Sequence, residues 1–137
     1  MDKKTLGIVD ASLQRCFREP RFLDLFYERF LAASPKVQER FAGTDFERQK
    51  RALRGSLWMI LLAAEDEEKG PERYLGSLAE MHSARHLDIG AELYDLWLDS
   101  LLATVAECDP EHTPELRAAW ERVMMVGVHY MVTRYNR

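Results

Sequence analysis

Cysteine is scarce in this chain. Cys16 and Cys108 are the only two, far apart and in no Cys-x-x-Cys pattern. Free thiols in a reducing compartment fit that pattern better than a disulfide scaffold. Long apolar runs are missing too. The longest, Leu57 to Ala64, is shorter than a bilayer-spanning helix and reads as a core segment. The N-terminal MDKKTLGIVD has no continuous apolar stretch, so no signal peptide is expected and the cytoplasm is the expected location. Positive charge is not in excess: 19 Lys and Arg face 23 Asp and Glu, a formal net charge of −4. The basic residues are interleaved with acids, as on solvated helix faces, which argues against nucleic acid as a partner. What remains is an ordinary globular composition, 47% hydrophobic and 31% charged over 137 residues. It predicts one domain, 1–137, around one core.

Glycine and proline, seven and five in number, fall mostly at breaks between helical segments. About Lys3 to Arg18, Leu6, Val9, Leu13, Cys16 and Phe17 share a face, and Pro20 ends the segment. A second helix, about Arg21 to Ala32, has a broad aromatic face of Leu23, Phe26, Tyr27, Phe30 and Leu31. Ser34-Pro35 reads as an N-cap with proline at the first helical position, opening a short turn up to Phe41. Thr44-Asp45-Phe46-Glu47 reads as a capping box with Thr44 as N-cap. The helix it opens runs to about Ala64 and puts Gln49, Leu53, Leu57, Ile60 and Leu61 on one face. The acidic run Glu65 to Glu68 reads as a solvated loop closed by Gly70-Pro71. A helix from Pro71 and another with Leu93, Tyr94, Leu96, Trp97, Leu101 and Val105 follow, separated near Asp88-Ile89-Gly90. Asp109-Pro110 ends the latter, and Thr113-Pro114 opens a last helix, about Glu115 to Tyr135. An all-α domain of six or seven helices results.

The informative stretch is PERYLGSLAEMHSARH, residues 71–86. Its apolar stripe of Leu75, Leu78 and Ala79 leads to His82 at spacings of three and four. An imidazole turned into a core needs a partner, because an unpaired buried polar group is costly. A backbone carbonyl, a carboxylate, a water or a metal would each serve.

Six landmarks in order make the chain resemble a bacterial single-domain globin, similar to the haem domain of flavohaemoglobins. They are Phe26-Tyr27, then Phe41 in QERF, then Gln49 and Leu53 in QKRAL, then Ala79-x-x-His82, then Ile89 with Tyr94, and finally Ala119-Trp120. The resemblance implies a three-over-three helical sandwich holding haem b, with His82 as the axial ligand. His86, one turn on, is the alternative. Tyr27 and Gln49 would be distal donors over a bound diatomic ligand, stabilising the partial negative charge it acquires. Phe41, Phe46, Leu53, Leu57, Met81, Arg85, His86, Leu87, Ile89, Tyr94 and Trp97 complete the expected haem surroundings, with His86, beside Arg85 near the helix end, suited to a propionate or to the helix C-terminus. Tyr135 falls where flavohaemoglobins carry a glutamate bonded to the axial histidine, and a neutral phenol there gives a weaker electronic push. Reversible binding of O2, NO and CO is the expected function. An NO dioxygenase served by an external flavin reductase, or a gas or redox sensor, is the alternative. Met59, Met81, Met124 and Met125 are expected to fill core gaps. His112 and His129 are expected to be surface or helix-face residues, and Lys50 is placed to compete for the pocket entrance.

Overall fold

The computed structural model describes residues 1–136, with seven α-helices and no strand among them. They are α1 (Lys3–Arg18), α2 (Phe22–Ala33), α3 (Pro35–Arg40), α4 (Phe46–Glu65), α5 (Gly70–His82), α6 (Ala91–Cys108) and α7 (Pro114–Thr133). Three starts follow the expected chemistry. Asp2 accepts from the Thr5 amide at 3.1 Å, Ser34 Oγ from the Lys36 amide at 3.1 Å, and Thr113 Oγ1 from the Leu116 amide at 3.1 Å. Pro35 and Pro114 occupy first-turn positions that need no N–H donor.

The start of α4 corrects the capping-box expectation. Asp45, not Thr44, is the N-cap, and its carboxylate accepts from the Glu47 and Arg48 amides at 3.1 and 3.3 Å. A carboxylate is the stronger acceptor at the positive end of a helix. Thr44 instead donates its amide to the Phe41 carbonyl at 3.1 Å, closing the preceding turn.

The helices make two layers, with α1, α4 and α5 lying on α2, α6 and α7. The core between them is aromatic at one end and aliphatic at the other. Phe22, Phe26, Tyr27 and Phe30 bury the inner face of α2, while Leu53, Leu57, Ile60 and Leu61 bury that of α4. Of the four methionines expected in the core, Met124 is fully buried. Met59, Met81 and Met125 are exposed instead, because their positions fall on the outward faces of α4, α5 and α7. The α4–α5 hairpin closes on Gly70, where a β-carbon would lie 2.3 Å from the Ala63 carbonyl oxygen.

One polar network crosses the core far from His82. The Asp109 carboxylate accepts from Arg15 Nε at 2.7 Å, Arg15 Nη2 at 3.0 Å, Ser12 Oγ at 2.6 Å and the Glu111 amide at 2.9 Å. Trp120 Nε1 donates to Ser12 Oγ at 2.8 Å, tying α7 into the same group. Burial alone would raise the Asp109 pKa, but the bonds from Arg15 and Ser12 outweigh it and hold the carboxyl below its ordinary value.

Asp109→Ala is therefore expected to cost about 3 kcal/mol in denaturant unfolding, because Arg15 and Ser12 lose their buried acceptor. A depressed folded-state pKa gives stability that is present above the unfolded-state pKa and fades as pH falls through the folded value. The parent should weaken below about pH 4, and Asp109→Asn should remove part of that acid dependence. Gly70→Ala should cost about 1–3 kcal/mol through overlap with the Ala63 carbonyl.

Candidate functional site

His82 is the last residue of α5, and it ends the stripe in which Leu75 and Ala79 are buried and Leu78 is half-buried. Its own ring is half-buried. Nδ1 lies 3.1 Å from the Tyr94 hydroxyl, which the first turn of α6 supplies. Nε2 has no hydrogen-bond partner among the described residues. Burial lowers the His82 pKa from its ordinary value, so the ring is neutral at neutral pH. Burial likewise pushes the Tyr94 hydroxyl up, so it too stays protonated. The pair fits either tautomer; in the one that carries the imidazole proton on Nδ1 and donates it to the Tyr94 oxygen, the Nε2 lone pair is free. A held Nδ1 and a free Nε2 are the donor geometry of a histidine metal ligand.

The turn after His82 departs from expectation. The helix stops there, and Ser83 is extended with its amide and Oγ bonded to the Glu80 carbonyl at 3.1 and 2.7 Å. His86 therefore does not continue the face of His82. It sits in the turn, exposed, with its amide on the Ser83 carbonyl at 3.1 Å. Arg85 and Leu87 are exposed beside it, as is Met81 on the outer face of α5, while Ile89 is half-buried.

The expected contact between Tyr135 and the axial histidine is also absent. The Tyr135 hydroxyl donates to the Asp88 carboxylate, and Tyr94 takes the place at Nδ1. Counting along α7 from Trp120 put Tyr135 on that helix, but α7 ends at Thr133 and Tyr135 lies in the turn beyond it. Tyr94 was legible as a landmark without its role. Its signal was a phenol one turn into the helix that follows the histidine.

On the other side, Tyr27 is buried, its ring 5.8 Å from Phe41, 5.5 Å from Phe46 and 5.0 Å from Phe26. Trp97 extends the cluster at 6.3 Å from Phe26. The Tyr27 hydroxyl donates to the main-chain carbonyl of Gln49 at 3.5 Å, so these two residues are neighbours as the spacing suggested. Burial pushes the Tyr27 pKa up to about 12, which keeps the phenol a donor. Leu53 and Leu57 are buried on the same face of α4 as Gln49, which is half-buried. Lys50 does not compete for this space, because Asp24 and Glu47 hold its ammonium at 2.8 and 2.7 Å.

No group of three or more His, Cys, Asp or Glu side chains converges among the described residues, so His82 would be a sole protein ligand rather than part of a zinc set. Among them, too, no helix is long and apolar enough to cross a membrane. A neutral imidazole that ends an apolar helix stripe, with Nδ1 on Tyr94 and no protein partner at Nε2 among the described residues, is a donor chemistry that fits a haem.

The globin family model matches residues 24–131. The chain is a globin. Among solved structures it resembles the Pseudomonas aeruginosa PAO1 protein PA3967, described as structurally highly homologous to a human hemoglobin. Identity is 38%, the match covers 97% of this chain and 99% of the other, and the TM-score is 0.90. A search of the curated proteins returned no match. Globins bind haem and, through it, gases such as O2. The seven helices of this globin and their two layers are that fold.

Tyr94→Phe removes only the hydroxyl at Nδ1. Expected is a loss of about 1 kcal/mol in denaturant unfolding. Broadened or shifted His82 ring resonances by NMR should accompany it. Unchanged ring resonances would mean the bond is not made in solution.

Proposed function

We propose that this globin binds haem b through His82 Nε2 and reversibly binds O2, NO and CO beneath Tyr27 and Gln49. The observation that supports it most directly is the His82 ring itself, neutral, held at Nδ1 by Tyr94 and unpartnered at Nε2. The haem, when bound, supplies the iron at which diatomic gases bind. The chain supplies everything else. Tyr94 orients the ring through Nδ1. Phe41, Phe46, Leu53, Leu57, Ile89 and Trp97 offer apolar surface to the macrocycle and exclude water. Arg85 and His86, exposed in the turn after α5, suit the propionates, and Met81 and Leu87 lie at the rim.

Tyr27 and Gln49 set the ligand's fate. A buried phenol kept protonated by its surroundings donates to the negative charge that a bound diatomic acquires. Here the hydroxyl rests on the Gln49 main-chain carbonyl at a long 3.5 Å, so the bond it gives up to reach a ligand is weak. Tight O2 binding with slow release follows.

Residues 1–137 act as one haem-binding unit, and the cytoplasm suits its two free cysteines. The partner of Nδ1 is a neutral phenol rather than a carboxylate, and the weaker push favours a carrier over an NO dioxygenase or a sensor. A dioxygenase would also need an external flavin reductase.

Tyr27→Phe is expected to speed O2 dissociation roughly tenfold in stopped-flow displacement by CO, the effect of one lost charge-assisted hydrogen bond. An unchanged rate would remove Tyr27 from the ligand's surroundings. Slow NO consumption by the oxygenated protein, even with a flavin reductase, is expected of a carrier. Rapid catalytic turnover would establish the dioxygenase instead.

A further inference from the structure

The turn from Ser83 to Ile89 folds back to cap the very end of α5. The Ser83 amide bonds the Glu80 carbonyl at 3.1 Å, the Leu87 amide the Met81 carbonyl at 3.0 Å, and the Ile89 amide the His82 carbonyl at 3.0 Å. The last three carbonyls of the helix, His82's among them, are thereby satisfied by this one turn. Asp88 closes it with a left-handed backbone at φ +54°, a conformation a non-glycine residue adopts at a cost and keeps only where its surroundings hold it.

Two residues from distant parts of the chain do the holding. Arg40, the last residue of α3, donates Nη1 to the Leu87 carbonyl and Nη2 to the Asp88 carbonyl, the latter at 2.6 Å. The same guanidinium lies 3.9 Å from the Asp88 carboxylate. Tyr135 donates its hydroxyl to the other Asp88 carboxylate oxygen and accepts the Ala84 amide on its own carbonyl at 2.8 Å. Neither residue touches His82. Arg40 does precede Phe41, whose ring packs at 5.8 Å on both Tyr27 and Phe30.

We propose that Arg40 and Tyr135 are positioning residues for His82. They pin the strained 83–89 turn, the turn caps the His82 carbonyl, and the orientation of the imidazole is thereby tied to the Phe41 corner and to the end of the chain. A planar guanidinium suits this work, because its fork reaches two successive carbonyls at once. The ring is thus fixed twice, by Tyr94 at Nδ1 and by the clamp at its backbone. The proposal rests on the reading of His82 as the axial ligand.

The test uses the haem-loaded protein and the variants Arg40→Ala, Arg40→Lys and Tyr135→Phe. One readout is amide hydrogen exchange at Leu87, Asp88 and Ile89. The other is the iron–histidine stretching band of the ferrous, ligand-free protein by resonance Raman. Arg40→Ala should speed exchange about tenfold and shift or broaden the band. Tyr135→Phe should do the same more weakly, and Arg40→Lys should restore part of both. Unchanged exchange would overturn the clamp. Faster exchange with an unmoved band would leave a turn that is held without positioning the ring, and would overturn the proposal equally. The axial reading is judged separately: a parent protein without the band, or a His82→Ala variant that keeps it, would refute that reading and this proposal with it.

Discussion

A single half-buried imidazole constrains the rest of this structure. His82 sits at the end of an apolar stripe, where desolvation favours its neutral form and an unsatisfied nitrogen is costly. Tyr94 resolves half of that cost, at Nδ1. Nε2 has no hydrogen-bond partner among the described residues and is not closed off from solvent. Around that residue the surrounding elements converge. The stripe of α5 carries it, α6 brings the phenol to it, and the turn that follows caps its carbonyl. The Asp109 network, by contrast, is self-contained. Every oxygen of that carboxylate has donors from the protein, and its role is to hold α1 and α7 to the α6–α7 corner.

The two sides of the site are organised by different physics. On the α5 side, hydrogen bonds fix direction: a ring nitrogen to a phenol, helix carbonyls to turn amides. On the α2 and α4 side, packing dominates. Tyr27 is wedged among Phe26, Phe41 and Phe46, and its one polar contact is a long bond to the Gln49 carbonyl. A group held by shape and only loosely by its hydrogen bond can redirect that bond to a ligand at small cost. A group held by short, mutually supporting bonds cannot. On the proposed function, the arrangement would pair a rigid ligand to the metal with an adaptable donor to the gas.

Helices and their order were legible because the cues are local. Prolines at 20, 35, 71 and 114 punctuate the chain, and Ser34 and Thr113 cap as their residue types suggest. The Leu75–Ala79–His82 stripe survived for the same reason, since periodicity over one helix is decided by that helix. Four features were not legible, and each depends on where a helix starts or stops or on a distant partner. Thr44 and Asp45 are adjacent and both are N-cap residues, so only the competition between hydroxyl and carboxylate separates them. His86 was placed on the face of His82 by assuming continued helix, whereas Ser83 goes extended and hands the helix carbonyls to the turn. Tyr135 was placed by counting along α7, whose end two residues earlier redirects the side chain to Asp88. Arg40 had no sequence signal at all, because its partners are backbone carbonyls 47 and 48 residues away.

The central claim, that His82 and no other residue is the protein's ligand to haem iron, is tested most directly by absorption spectra. The parent, His82→Ala and His86→Ala would each be recorded as ferric, ferrous and ferrous-CO forms after loading with one equivalent of haemin. The account predicts a histidine-ligated globin spectrum in the parent and in His86→Ala, and its loss in His82→Ala. The same spectrum persisting in His82→Ala and vanishing in His86→Ala would contradict it and move the iron to the turn.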